Sequence, residues 1–119
     1  KTKVLWKKLA KFVALDPFDR INMCKFRCGN HKLPIVTGRY IDIRRENRKC
    51  TLCNCSDIAD EYHFLFVCQY FNYQRTQLLQ PHFRLRPNTT KMYELLNTKC
   101  KLQLKNLAKL IKLILTNFQ

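Results

Sequence analysis

Glycine is nearly missing from this chain, with 2 residues in 119. Glycine supplies the positive-φ positions of tight hairpin turns, so its scarcity argues against a hairpin-rich sheet and for helices. Acidic residues are also few: 8 Asp and Glu stand against 23 Lys and Arg, the formal net charge is +15, and no acid follows Glu94. No apolar run approaches the ~20 residues of a membrane span, so stable membrane insertion is not expected. The start shows no secretory pattern and no initiator Met, and the expectation is a piece of a longer intracellular protein of the nucleus and cytoplasm.

What is present is a core-forming fraction, 46% hydrophobic, and an odd number of cysteines, 7. An odd count fits poorly with a closed disulfide framework, so the thiols read as metal ligands and core residues. The charge makes a polyanion the first candidate partner, RNA or DNA before an anionic membrane surface.

The expected fold is mainly α, a single small helical domain over residues 1–119. N-terminal helices occupy 1–29. The first covers 3–14, with Leu5, Leu9, Phe12 and Val13 on one face. The second is capped by Asp16-Pro17 and stopped at Gly29, with Phe18, Ile21, Cys24 and Cys28 on one face. Residues 30–49 read as an irregular basic segment in which Pro34 and Gly38 break any helix. Residues 50–80 read as a Cys-x2-Cys turn, with room for a short β-hairpin, packed on a central helix from Ser56 or Asp57 to about Leu79. Pro81 and Pro87 bracket a linker, Thr89 or Thr90 caps a short helix, and the chain closes on a basic amphipathic helix over 99–117, so that 88–119 forms a C-terminal helical unit.

The chemistry lies in Cys50-x2-Cys53-x9-His63-x4-Cys68. Zinc takes four soft or borderline donors in a tetrahedron. A Cys-x2-Cys turn aims two sulfurs at one point, and a His and Cys at a helix start can supply the other two. With all four places filled by protein, the ion is structural and no open position remains for a reacting water. Cys55 lies close enough in sequence to replace Cys50 or Cys53; Cys53 is preferred for its two-residue spacing. A half-site of Cys24, Cys28 and His31 lacks a second half, and a Cys68–His63 nucleophilic pair lacks an orienting third group. The fragment is therefore not expected to be an enzyme.

Two basic surfaces follow. Before the zinc turn, Arg39, Arg44, Arg45, Arg48 and Lys49 are interleaved with Tyr40, a mixture that can fork onto phosphates and stack on an unpaired base. On the last helix, Leu104, Leu107, Ala108, Ile111, Leu115 and Phe118 make an apolar stripe, and Lys101, Lys105, Lys109 and Lys112 gather beside it. The competing reading is a zinc-stabilised protein-interaction module with no direct nucleic-acid contact.

The ordered combination of Asn30-His31-Lys32-Leu33-Pro34-Ile35, Thr37-Gly38-Arg39-Tyr40 and the Cys50, Cys53, His63, Cys68 set with Glu61-Tyr62-His63-Phe64-Leu65-Phe66 resembles the C-terminal segment of non-LTR retrotransposon reverse transcriptases. The likeness covers roughly residues 17 to 75. Val36 stands where relatives often carry an acid, and Cys55 is an addition between the ligand pairs. The resemblance implies a zinc-binding domain that follows a polymerase domain in the same polyprotein and helps hold element RNA or target DNA during target-primed reverse transcription. Neither the paired aspartates of a polymerase nor the carboxylates of a restriction-like endonuclease are present.

Overall fold

A computed structural model describes residues 15–53 and 55–118. The expected helix over 3–14 lies outside the described residues. The rest is mainly helical, as the glycine shortage implies. Helix α1 is Pro17–Cys28, α2 Pro34–Tyr40, α3 Asn72–Leu78, α4 Pro81–Arg84, α5 Thr89–Leu96 and α6 Lys101–Thr116. Among the described residues there is no strand, only one isolated antiparallel bridge between Lys49 and Ile58.

Local chemistry sets the α1 boundaries. The Asp16 carboxylate accepts the Asp19 amide at 2.9 Å, and Pro17 occupies the first turn. Gly29 stops the helix at φ 70°, and the Asn30 amide returns to the Lys25 carbonyl at 2.9 Å. The buried face is not the expected one. Met23, Cys24 and Phe26 are inside, whereas Phe18 is 79% exposed and Ile21 and Cys28 are exposed too. Apolar residues stand on more than one side of α1, and tertiary packing, including the α6 contact, selects which of them are covered.

The segment 30–49 is more ordered than its composition predicts. Pro34 opens a helix instead of breaking one, because a first-turn position has no intrahelical amide bond to lose. The orphan Ile35 amide donates to the Ala59 carbonyl at 3.1 Å, which ties α2 to the chain just after the cysteine turn. Gly38 lies inside α2 and is buried; a Cβ there would come 2.6 Å from Cγ of Arg48. With glycine so scarce elsewhere, Asp42 and Arg86 take the left-handed turn positions at φ 57° and 50°.

The single helix expected from about residue 57 to 79 is also corrected. A π-helical turn His63–Val67 ends at Cys68, which is extended (φ −60°, ψ 121°); a 3₁₀ turn Gln69–Phe71 follows, and only then α3. Buried Arg75 satisfies the carbonyls released by these breaks. Its Nε donates to Leu65 O at 2.8 Å, and its Nη2 donates to Phe64 O at 3.2 Å and to Cys68 O. The proline-bracketed linker holds the one-turn α4, and Asn88, not Thr89 or Thr90, caps α5 by accepting the Lys91 amide at 2.8 Å.

Helix α6 is the apolar spine. Leu104, Leu107, Ala108, Leu110, Ile111 and Ile114 are buried along it, a wider band than the expected stripe. It packs on α1, α3 and the π-helical turn. Phe64, fully buried in that turn, meets Phe118 just beyond α6 at a ring distance of 5.1 Å.

Candidate metal centre

The cysteine turn is suspended from backbone bonds. The Ala59 amide donates to Arg48 O at 2.8 Å and the Cys50 amide to Asp57 O at 3.3 Å, closing a loop over 50–57. The Leu52 amide points at Cys50 Sγ, 3.3 Å away. Across from this loop, the Asp60 carboxylate accepts the His63 amide at 2.9 Å and starts the turn that carries the imidazole. The helical entry is therefore capped at Asp60, later than Ser56 or Asp57. The wide π-helical turn and extended Cys68 bring the fourth donor back under the same loop, with the Cys68 amide bonded to His63 O at 2.8 Å.

Cys50, Cys53, His63 and Cys68 place their ligand atoms within 4.8 Å of one another, close enough to hold one metal ion. Cys50 Sγ and Cys68 Sγ are 3.8 Å apart, and Cys53 Sγ is 3.4 Å from His63 Nε2. Cys50, His63 and Cys68 are buried, whereas Cys53 is half-buried. Cys55 also reaches the cluster, 2.9 Å from Cys53 Sγ and 3.9 Å from His63 Nε2, and forms a second, smaller group with Asp57 and His63. A hollow of about 300 Å³ opens onto Cys53 and Cys55 beside Val67 and Gln69.

Burial sets the protonation of these donors. It pushes the Cys68 thiol up to about 12, helped by the neighbouring Cys50 and opposed by a hydrogen bond from the Tyr70 backbone. Without a cation the thiol keeps its proton, so metal uptake must release it. Burial lowers the His63 pKa, against the pull of Asp57 and Asp60, and favours the neutral ring that a metal requires. The hydrogen bond with Cys53 is the main reason the Cys55 pKa is raised. His63 Nδ1 is buried without a hydrogen-bond partner, and the Asp57 carboxylate stands 4.0 Å from it. That carboxylate is placed to orient the ring once Nε2 is engaged.

A third part of this centre was not expected from sequence. Arg75 is 3% exposed, and its nearest charged groups would be the thiolates of Cys68 and Cys53, which counter the lowering of its pKa by burial. An arginine seven places after Cys68, following an apolar run, is the only sequence sign of it.

Among the described residues His31 belongs to no cluster that could hold a metal. Its Nδ1 accepts the Leu33 amide at 3.3 Å, so Nε2 carries the hydrogen that Glu61 accepts at 3.2 Å. Burial raises the Glu61 pKa, but the His31 bond, a backbone amide and the nearby Arg45 charge help bring it below the ordinary value.

The basic residues divide. Arg39, Tyr40, Arg44, Arg45 and Lys49 are exposed around α2 and the following 3₁₀ turn Arg45–Asn47. Arg44 lies 3.6 Å from Glu46, and Arg45 4.0 Å from Asp60. Arg48 is not a free contact residue: its Nε donates to Ile43 O at 2.9 Å, its Nη1 to Ile35 O at 3.0 Å, and its stem lies over Gly38. Lys101, Lys105, Lys109 and Lys112 are all exposed on α6. Lys105 and Lys109 share a hollow with Asp16 and Asp19, so part of that arc faces the acidic start of α1. No helix among the described residues is long and apolar enough to cross a membrane.

The chain matches no protein-family model, no curated protein and no solved structure.

Proposed function

We propose that Cys50, Cys53, His63 and Cys68 bind one structural zinc ion and that the basic surface built around it binds RNA or DNA. The observation that carries the zinc assignment is the spacing of the donors. A tetrahedral zinc with bond lengths of about 2.3 Å to sulfur and 2.0–2.1 Å to nitrogen has edges of about 3.8 Å between sulfurs and 3.6 Å from sulfur to nitrogen. The Cys50–Cys68 and Cys53–His63 separations are 3.8 and 3.4 Å. The four donors come from two chain segments, so the ion would cross-link the loop over 50–57 to the turn that follows it. Four protein donors fill the coordination sphere, which fits a structural and not a catalytic ion.

The nucleic-acid reading rests on the +15 charge and on Arg39, Tyr40, Arg44, Arg45 and Lys49, all exposed in the segment that leads into the cysteine turn. The parent protein, on the resemblance alone, is a retroelement reverse transcriptase, and this segment holds its RNA or target DNA and performs no chemistry itself. Fluorescence anisotropy of labelled RNA and single-stranded DNA, across a salt series and with or without a zinc chelator, tests both parts. About five neutralised phosphates give a slope of log K on log salt of about −3.5 to −4.5. Binding should collapse with the chelator. A folded, zinc-loaded chain that fails to bind at moderate salt would turn the assignment to a protein-interaction module.

A further inference from the structure

Away from the cysteines, the end of α1, the 30–32 loop and the end of α2 surround a hollow of about 480 Å³, floored in part by Leu115 and Phe118 after the buried stretch of α6. That volume falls in the ~300–1,000 Å³ range of small-ligand sites. Among the described residues no acidic side chain lines it. Lys25 and Lys32 are both exposed there, and among the described residues neither is in an ion pair. Tyr40 is 80% exposed at the same hollow. Asn22 and Asn30 add amides that can both donate and accept. His31, which also lines it, is bonded at both ring nitrogens, to the Leu33 amide and to Glu61.

We infer that this hollow takes one unpaired nucleotide of a single-stranded RNA or DNA, with its base against Tyr40 and the apolar floor and its phosphates at Lys25 and Lys32. The assignment rests on the nucleic-acid reading above and names its contact site. Two cations with no acid beside them fit a phosphodiester. An exposed aromatic ring next to an apolar floor fits the face of a base. In a duplex the bases are already stacked on one another, so the ring would gain nothing from it. Lys25 was outside the basic segments visible in sequence; the return of α1 against the loop brings it to Lys32.

The test uses the full chain loaded with zinc, a short fluorescein-labelled oligo(U), and a duplex of the same length. Tyr40→Ala should weaken oligo(U) binding by roughly tenfold and leave duplex binding nearly unchanged, whereas Tyr40→Phe keeps single-strand affinity. Lys25→Gln with Lys32→Gln should make the single-strand salt slope shallower by about 1.4. All these positions are on the surface, and circular dichroism checks that each variant folds. Wild-type binding with no change in Tyr40→Ala or in the lysine pair overturns the groove and leaves the broader reading standing. Equal weakening of duplex and single strand by Tyr40→Ala overturns the stacking role. A wild-type chain that binds neither probe overturns the nucleic-acid reading and the groove with it.

Discussion

Two regions of this molecule contribute to its core by different means. Helix α6 does so with an unbroken helix whose buried residues are all apolar, Leu104 to Ile114. The segment from Cys50 to Arg75 buries His63, Cys68 and a guanidinium alongside Phe64 and Leu65, and changes conformation several times in doing so. In the first region each backbone bond is internal and the side chains need only exclude water. In the second, every break releases polar groups that need a partner, and Arg75 or a ligand supplies it. The first kind of region tolerates conservative change in volume; the second depends on single atoms.

The sharpest test of that contrast disables the proposed zinc site. Cys50→Ser or His63→Ala should unfold the domain, since structural zinc contributes on the order of 10–16 kcal/mol in small zinc-finger peptides. Circular dichroism melts with and without chelator read this directly, and native-like melting of either variant would sink the zinc assignment. Cys55→Ser should still bind one equivalent of zinc, because the other four donors are complete without it.

Next in size is a matched pair. Leu107→Ala should cost about 2–5 kcal/mol by leaving a cavity. Arg75→Ala should cost about 3 kcal/mol or more, because it strands the carbonyls of Phe64, Leu65 and Cys68. The two should differ in their effect on the metal. Leu107→Ala leaves zinc affinity in the folded state unchanged, while Arg75→Ala lowers it, and competition against a chromogenic chelator separates them. Equal effects on zinc would show that the regions are not energetically distinct.

A smaller effect is expected at Arg48. Arg48→Ala removes two bonds to the carbonyls of Ile35 and Ile43 and should lower stability by about 1–3 kcal/mol. If its role were phosphate contact, the melting temperature would not move and only nucleic-acid affinity would fall.

The smallest concerns Glu61. Its folded pKa lies below the ordinary 4.5, so its contribution is complete above that value and is lost as pH falls through the lower folded one. Glu61→Gln should therefore cost little at acidic pH and more near neutrality, by under about 1 kcal/mol, as read from urea melts at several pH values. A pH-independent difference would mean that the charge on Glu61 contributes nothing through His31.

Much of this contrast can be read from the chain alone, but unevenly. The caps of α1 were legible because Asp16, Pro17 and Gly29 each act within a few residues of where they stand. The four donors were legible because their spacing is itself a statement about geometry. The helix at Pro34 was not, because proline opens a helix as readily as it ends one, and a distant carbonyl, that of Ala59, takes up the next amide. Gly38 misled for a related reason: its place in α2 is required by the Arg48 side chain, ten residues away. The run from Tyr62 to Phe71 is apolar on most sides, so periodicity alone could not reveal that the chain breaks at Cys68 to return a sulfur to the cluster.

The sequence by itself determined the helical class, the strongly basic character and the identity of the four candidate ligands, since composition, capping and spacing are local properties. Tertiary structure alone decided that buried Arg75 and half-buried Arg48 fasten backbone carbonyls, which face of α1 is covered, and that Lys25, Lys32 and Tyr40 border one hollow. Each of those outcomes depends on which segments meet, and a charged side chain carries no mark of whether it will meet water, a phosphate or an orphaned carbonyl until the fold has placed one of them in front of it.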